Sequence, residues 1–258
     1  MSMESIYDVL TALEKIGQVT DLELERTEGV EAICEAGEAG MCVELSNVDF
    51  MYPDGDKKIL DGISINIPAG DKLVVTGPNG SGKSTLLQII AGLYKVNSGS
   101  VNYNGLPLGN LNLLALRSEI GDCLAHEQLF DGTVLENIGM GRPNATVENV
   151  RWAIKNLNLE GFIQQLPLGY DSQIDPQGRK LPRSVMQKLL LARCIADRPK
   201  LLLLEDALEH LDEIDKKAIV DFLVKPENGW TIVAVSCDDY LQSKVGRVLN
   251  MKNGQFTQ

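Results

Sequence analysis

The stretch GPNGSGKST, from Gly77 to Thr85, decides the fold of this chain. It follows a short apolar run, KLVVT, and leads into a second apolar run, LLQII. These two runs predict a buried strand before the stretch and a buried helix after it. The stretch fits the pattern G-x-x-x-x-G-K-[ST] in full, in the strand, loop and helix context that the pattern requires. The sequence therefore predicts a loop whose backbone N–H groups hold the phosphates of a nucleotide at the positive end of a helix.

The individual residues of this loop suit phosphate binding. Gly77, Gly80 and Gly82 allow positive φ angles and a close approach of the backbone to an anion. Lys83 supplies a positive charge to the β- and γ-phosphates, and the Ser84 hydroxyl is a ligand for Mg²⁺. The predicted cofactors are therefore ATP and Mg²⁺. The predicted phosphate-binding residues are Gly77, Pro78, Asn79, Gly80, Ser81, Gly82, Lys83, Ser84 and Thr85.

Outward from the loop, apolar strands alternate with helices. LLLLE at 201–205 and TIVAVS at 231–236 predict further buried strands, and RSVMQKLLLARCIA at 183–196 predicts a helix. Before the loop, residues 42–67 have a strand-like pattern. Buried apolar strands that alternate with helices predict an α/β fold with a mainly parallel sheet.

Composition limits the possible functions. The 258 residues carry a net charge of −12, and no basic face is visible that would neutralise nucleic-acid phosphates. No apolar run approaches the roughly 20 residues of a transmembrane helix, and no signal peptide is expected at the start. The five cysteines lack C-x-x-C spacing, which predicts reduced thiols and argues against a structural zinc site. They are Cys34, Cys42, Cys123, Cys194 and Cys237.

Residues 1–40 are predicted to form a region separate from the rest of the chain. Ile6, Val9, Leu10, Leu13 and Ile16 have helical spacing and predict an amphipathic helix that needs a partner surface. Residues 21–40 are strongly acidic, with Arg26 as their only base, and predict a solvated linker.

The chain from about 41 to 258 resembles the nucleotide-binding domain of ATP-binding cassette proteins. Besides the phosphate loop, the resemblance rests on VDFMYPDG at 48–55, on 98–121 and on LFDGTVLENI at 129–138, which look like the exporter branch of the family. The resemblance implies a P-loop NTPase fold with a mainly parallel core sheet, an antiparallel β subdomain and a helical subdomain at about 126–190. It also implies that Tyr52 stacks on adenine, and that residues 1–40 include the end of a membrane helix.

The family's signature segment, usually L-S-G-G-Q, is altered in this chain. Alignment through GRKL and QKLLLAR places LPRSV, residues 181–185, at that position. In the family this segment contacts the γ-phosphate of a nucleotide held by a second cassette. Pro182 has no N–H group and no hydroxyl, and Arg183 and Ser184 replace glycines. The close approach of the backbone to a phosphate is therefore expected to be lost.

Three further catalytic positions depart from the family. Ala125 stands where the family has a glutamine, with His126 and Gln128 nearby, and Cys237 stands where it has a histidine. In the family an aspartate holds the Mg²⁺ shell and the next glutamate polarises the attacking water, whereas LLLLED ends in Glu205 and Asp206. The resemblance assigns Mg²⁺ to Ser84 and Glu205.

Asp206 is the candidate base, but its side chain is one methylene group too short for that position. Displacements on the order of 1 Å can lower a rate about 10²-fold. Asp212 is either the family's dimer-facing aspartate or a helix N-cap.

The intact loop and the altered catalytic positions together predict an exporter domain that binds Mg-ATP and hydrolyses it weakly or not at all. Its expected partners are transmembrane domains and a second nucleotide-binding domain, in a homodimer or heterodimer, at the cytoplasmic face of the inner membrane. Two alternatives stay open: an inert ATP-gated structural or regulatory module, and an active ATPase motor with Asp206 as base. A DNA-associated ATPase is disfavoured by the charge and by the short insert at 126–190.

Overall fold

The computed structural model describes residues 3–20, 25, 27–31, 33–34, 40–53, 55–125 and 127–257. In chain order the strands are β1 (Val43–Phe50), β2 (Leu60–Ile67), β3 (Lys72–Thr76), β4 (Ser98–Tyr103), β5 (Leu106–Pro107), β6 (Ile120–Cys123), β7 (Gly132–Thr133), β8 (Gln173–Ile174), β9 (Leu201–Glu205), β10 (Thr231–Val235), β11 (Arg247–Lys252) and β12 (Gln255–Thr257). The α-helices are α1 (Met3–Thr20), α2 (Lys83–Ile90), α3 (Leu113–Ser118), α4 (Val134–Gly139), α5 (Val147–Asn156), α6 (Glu160–Gln165), α7 (Arg183–Ala196), α8 (Glu213–Leu223) and α9 (Asp239–Lys244).

The strands of the described residues form two main sheets. The larger sheet has the order β12-β11-β3-β10-β9-β6, and all its neighbours are parallel except the pair β11 and β12. The second sheet, β2-β1-β4-β5, is antiparallel throughout. A short pair, β7 with β8, accompanies the helices α4 to α7 in the chain segment between β6 and β9. The predicted combination of a parallel core sheet, an antiparallel sheet and helices is confirmed.

The central strands β9 and β10 of the larger sheet are buried on both faces because they carry apolar residues at nearly every position. Along β9, Leu202 and Leu204 pack into a core shared with α4 to α8. Leu201 and Leu203 point to the opposite face and pack with α2 and the antiparallel sheet. Successive side chains of a strand alternate between faces, so an uninterrupted leucine run is what a doubly covered strand requires. The phosphate loop joins β3, near the centre of this sheet, to α2.

Helix α1 covers the segment for which the sequence predicts an amphipathic helix. Tyr7, Val9, Leu10 and Leu13 are all more than half exposed on it. Among the described residues, no helix combines the length and the apolar character needed to cross a membrane. Whether residues 1–40 include the end of a membrane helix stays a prediction.

The acidic segment after α1 is not solvated along its whole length. Val30 exchanges backbone hydrogen bonds with Asn110 and Asn112, at 2.9 and 3.0 Å, and forms a parallel bridge with Leu111. Ile33 is only 4% exposed and belongs to the core beneath the antiparallel sheet. Burial of this side chain and backbone pairing outweigh the segment's polar composition, so the prediction of a solvated linker is wrong for these residues. Arg26 lies outside the described residues.

Candidate functional site

The phosphate loop is built from glycines that its backbone path requires. Gly77, Gly80 and Gly82 have φ angles of +138°, +76° and +104°. A Cβ atom at Gly77 would collide with the carbonyl oxygen of Met251, and one at Gly82 would lie 2.8 Å from the carbonyl oxygen of Ile59. These two glycines are therefore fixed by close packing against the neighbouring backbone as well as by conformation.

The side chain of Lys83 reaches back from the start of α2 to the loop. Its Nζ donates hydrogen bonds to the carbonyl oxygens of Gly77 and Pro78, both at 2.9 Å. The loop is therefore wrapped around a positive charge at the first residue of α2, where the N–H groups of the first helical turn also face outward. The buried hydroxyl of Ser81 has no hydrogen-bond partner among the described residues.

The loop forms one wall of a cleft with a volume of about 460 Å³. This volume lies within the range of about 300–1,000 Å³ that small-molecule sites occupy. The cleft is lined by Tyr52, Ile59, Gly77, Asn79, Gly80, Gly82, Lys83, Ser84, Thr85, Glu205, Asp206, Glu209, Val235 and Cys237. Of the residues predicted to bind the nucleotide, Pro78 and Ser81 belong to the loop but do not line the cleft.

Tyr52 lies at the edge of this cleft, beside the start of α2. Its hydroxyl is 3.0 Å from the hydroxyl of Thr85. Its ring packs edge-on against Phe50 and Tyr94, with ring centres 5.0 and 5.4 Å apart. An aromatic ring fixed in this way borders the cleft, and its stacking on adenine stays a prediction.

The acid pair lies across the cleft from the loop, at the end of β9. The Glu205 Oε2 atom accepts a hydrogen bond of 2.9 Å from the backbone N–H of Ala125. This bond ties the end of β9 to the loop that follows β6. The family would place a glutamine side chain at position 125, whereas here the backbone of Ala125 uses an oxygen of Glu205. The methylene group that distinguishes glutamate from aspartate provides the reach for this bond.

Asp206 follows Glu205 in an unusual backbone conformation. Its φ angle is +47°, and its N–H donates to the carbonyl oxygen of Val235 at 3.0 Å. Aspartate tolerates this left-handed conformation better than most residues do. Partial burial, together with the charges of Glu209 and Glu205, raises the pKa of the Asp206 carboxyl above its usual value, while Lys83 opposes the shift. A raised pKa makes a carboxylate a stronger proton acceptor.

The other altered positions fall in different places. Cys237 is exposed and lines the same cleft. Pro182 occupies the N-cap position of α7 without a side-chain hydrogen bond, and the neighbouring Arg183 is exposed. The segment 181–185 does not contribute to the cleft of its own chain. His126 lies outside the described residues.

Asp212 forms the N-cap of α8. Its Oδ1 atom accepts hydrogen bonds from the backbone N–H groups of Ile214 and Asp215, at 3.1 and 2.9 Å. The N-cap interpretation of this residue is confirmed, and a contact with a second domain stays a prediction.

Glu209 is a third carboxylate that lines the cleft, and no motif in the sequence points to it. Its backbone N–H bonds to the carbonyl oxygen of Asp206 at 3.2 Å, so a turn brings it back toward the acid pair. The residues of the cleft fit both implied cofactors. One wall offers a lysine and outward-facing backbone N–H groups for phosphates, and the hydroxyl of Ser84 and the carboxylates opposite are the hard oxygen ligands that Mg²⁺ prefers.

Comparison with known proteins agrees with this geometry. The profile of the family described as ABC transporter matches residues 60–209, more than half of the chain. ABC transporter B family member 29, chloroplastic, from Arabidopsis thaliana is 30% identical over 230 residues, which are 87% of this chain and 36% of that protein. ABC transporter B family member 1 from the same plant is 34% identical over 240 residues, 91% of this chain and 18% of that protein.

A solved structure, that of a bacterial Atm1-family ABC exporter with ATP bound, superimposes on 98% of this chain with a TM-score of 0.86 and 25% identity. The match covers 44% of that exporter chain. This chain thus spans less than half the length of the relatives that it matches.

Proposed function

The chain belongs to the ABC transporter family, as a nucleotide-binding domain of exporter type, and we propose that it binds Mg-ATP within a membrane transporter while hydrolysing it weakly or not at all. In this proposal Lys83 and the loop backbone hold the phosphates, Ser84 and Glu205 hold Mg²⁺, and Tyr52 supports adenine. Because the chain covers only part of the length of its relatives, its role in transport and its partners are likewise proposed.

The observation that carries this proposal is the contrast between the two walls of one cleft. The loop wall is intact in sequence, and its glycines have positive φ angles and pack closely against the neighbouring backbone, which supports a loop shaped for phosphate. On the opposite wall, Glu205 is bound to the backbone of Ala125, and Cys237 replaces a histidine. Binding requires the first wall, whereas orienting a water molecule for attack on the γ-phosphate requires the second.

The proposal includes the surroundings of the domain. Residues 1–40 would lead from a transmembrane domain into the nucleotide-binding domain at 41–258, with a helical subdomain at about 126–190. A second nucleotide-binding domain, identical or different, would face this one at the cytoplasmic side of the inner membrane. In a homodimer both sites would meet Pro182 and Arg183 in place of a signature segment. An inert ATP-gated structural or regulatory module would use the same binding without transport.

A second candidate, an active ATPase, is favoured by one observation. The pKa of Asp206 is raised and the residue lines the cleft near Lys83, so it has the property of a general base. In this candidate Asp206 would accept the proton of the attacking water.

The test is to identify the nucleotide that the protein retains. The purified chain is incubated with Mg-ATP, separated rapidly from free nucleotide, and the bound nucleotide is analysed. We expect bound ATP, and much less bound nucleotide in Lys83→Ala, because that change removes a charge-assisted phosphate contact. Bound ADP in the parent protein would support the active ATPase instead, and the absence of bound nucleotide at millimolar ATP would contradict both candidates.

A further inference from the structure

A second cluster of potential ligands lies outside the nucleotide cleft. Cys123 at the end of β6, Glu127 in the following loop and Cys194 in α7 offer two sulfur atoms and a carboxylate oxygen that all lie within 4.8 Å of one another. Cys123 is 2% exposed, Cys194 is fully buried, and Glu127 closes the cluster from the loop side. None of the three lines the nucleotide cleft.

The chemistry and the spacing of these atoms suit a thiophilic metal ion. Tetrahedral Zn²⁺ binds cysteine sulfur at about 2.3 Å and carboxylate oxygen at about 2.0–2.2 Å, so its ligand atoms lie roughly 3.5 Å apart. The three atoms of the cluster would therefore have to move inward by on the order of 1 Å. The low exposure of both sulfur atoms keeps competing water away from such a site.

The surroundings supply the remaining requirements. The side-chain amide of Gln187 lies 3.7 Å from the Cys123 sulfur atom, and because amide oxygen and nitrogen are assigned from the hydrogen-bond network, this amide can present its oxygen as a fourth ligand. Arg193 Nη1 lies 4.0 Å from Glu127 Oε2. Two thiolates and a carboxylate carry three negative charges, which a divalent cation and the Arg193 guanidinium together balance.

A metal ion would leave the hydrogen bonds of Glu127 in place and would replace those of Cys194, whose sulfur atom also lies 3.2 Å from the carbonyl oxygen of Leu190. One oxygen of Glu127 accepts a hydrogen bond from the N–H of Leu124 at 3.1 Å, while the other faces Arg193. The Cys194 thiol donates to the carbonyl oxygen of Asp122 at 2.6 Å. A bound metal would take the place of the thiol proton of Cys194.

From this geometry we infer that Cys123, Glu127 and Cys194 form a binding site for a thiophilic divalent cation of the Zn²⁺ type. The ion would join the loop after β6 to α7. That loop carries Ala125, which is bound to Glu205, and α7 begins at the segment 181–185. Occupancy would therefore stabilise the loop that bonds to Glu205 and the helix that begins at the segment 181–185, without requiring nucleotide.

The test uses Co²⁺ as a spectroscopic probe and Zn²⁺ as its competitor, in the reduced, metal-free chain without nucleotide. The matched control is the triple variant Cys34→Ser, Cys42→Ser, Cys237→Ser, which keeps only the two cysteines of the cluster. We expect one equivalent of Co²⁺ to give a thiolate-to-cobalt absorption band in both proteins, and one equivalent of Zn²⁺ to abolish it. At free Zn²⁺ about a hundredfold above Kd, the melting temperature should rise by about 5–10 °C.

Two variants locate the site. Cys123→Ala combined with Cys194→Ala should abolish the absorption band, and Glu127→Gln, which keeps size and shape, should weaken Co²⁺ binding at least about tenfold. Absence of the band in the folded parent protein would overturn the inference. A band that persists in the double variant, or an unchanged affinity in Glu127→Gln, would also overturn it, since the metal would then be bound elsewhere.

Discussion

Glu205→Asp should break the hydrogen bond between β9 and the backbone of Ala125. The bond is 2.9 Å long, and removing one methylene group withdraws the carboxylate by up to about 1.5 Å. The resulting separation of roughly 4.4 Å exceeds hydrogen-bonding range. Hydrogen bonds to charged groups contribute about 1.5–3 kcal/mol. Ala125 is exposed and water can replace the lost partner, so we expect a loss of about 1 kcal/mol, which lowers the melting temperature by about 2–4 °C.

Two measurements are made on each variant. The first is thermal melting without nucleotide and in the presence of EDTA, and the second is the Mg²⁺ dependence of ATP binding. Glu205→Gln is the matched control, since it keeps the length and the oxygen acceptor but loses the charge. The aspartate variant should melt earlier and keep its Mg²⁺ dependence. The glutamine variant should melt like the parent and bind ATP with a weaker dependence on Mg²⁺, because a neutral amide is a poorer Mg²⁺ ligand.

Two results would contradict these roles of Glu205. An unchanged melting temperature in Glu205→Asp would mean that the bond to Ala125 does not contribute to stability in solution. An unchanged Mg²⁺ dependence in Glu205→Gln would mean that Glu205 is not a Mg²⁺ ligand.

Three further predictions concern binding and stability. Mg-ATP at a hundredfold excess over Kd should add about 2.7 kcal/mol to the free energy of unfolding of the parent protein. Lys83→Ala should bind ATP with a Kd about 30-fold weaker. At the same ATP concentration it should therefore show less than half of the parent's rise in melting temperature. Tyr52→Ala should weaken ATP binding by about 1 kcal/mol, measured by titration, while Tyr52→Trp keeps it; equal affinity of the alanine variant would place adenine elsewhere. Lys188 Nζ lies 2.7 Å from a carboxylate oxygen of Asp215, whose side chain is 18% exposed. Lys188→Met removes this ion pair and should lower the free energy of unfolding by about 3 kcal/mol at pH 7. Burial alone would raise the pKa of Asp215, but hydrogen bonds from Lys188 and Asn158 hold it below its usual value. This stabilisation is therefore present above about pH 4 and is lost at lower pH, where denaturant melts of the two proteins should converge.

The phosphate loop could be predicted from the sequence because its signal is local. Gly77, Gly82 and Lys83 lie within one short stretch, and the same stretch contains both the conformational and the chemical requirement. The leucine run of β9 likewise indicates a strand buried on both faces.

The contacts that modify this site could not be predicted in the same way. The bond from Ala125 to Glu205 joins residues 80 positions apart through a backbone N–H, which no residue type reveals. Cys123 and Cys194 have no motif spacing, and only the pairing of β6 with α7 brings their sulfur atoms together. The acidic composition around Ile33 wrongly predicts a solvated segment, because one buried apolar side chain is enough to anchor such a segment to the core.

Repair of the altered positions tests which of them limit hydrolysis. Exchanging the acid pair, with Glu205→Asp and Asp206→Glu, should not restore turnover, since Ala125, Cys237 and the segment 181–185 remain altered. Adding Ala125→Gln, Cys237→His and L-S-G-G-Q at 181–185 should restore it, because the γ-phosphate contacts and the water-orienting groups are then present together. Failure of the complete repair would mean that another feature of the chain prevents hydrolysis.

Weak or absent ATP hydrolysis is tested most directly by steady-state phosphate release from the parent protein at saturating Mg-ATP, with Lys83→Ala as background. We expect a turnover well below the ordinary enzymatic range of about 1–10³ s⁻¹, in a sample that binds ATP and shows the expected thermal shift. Brisk phosphate release that Lys83→Ala abolishes would show that the domain is an active ATPase and would assign the role of base to Asp206.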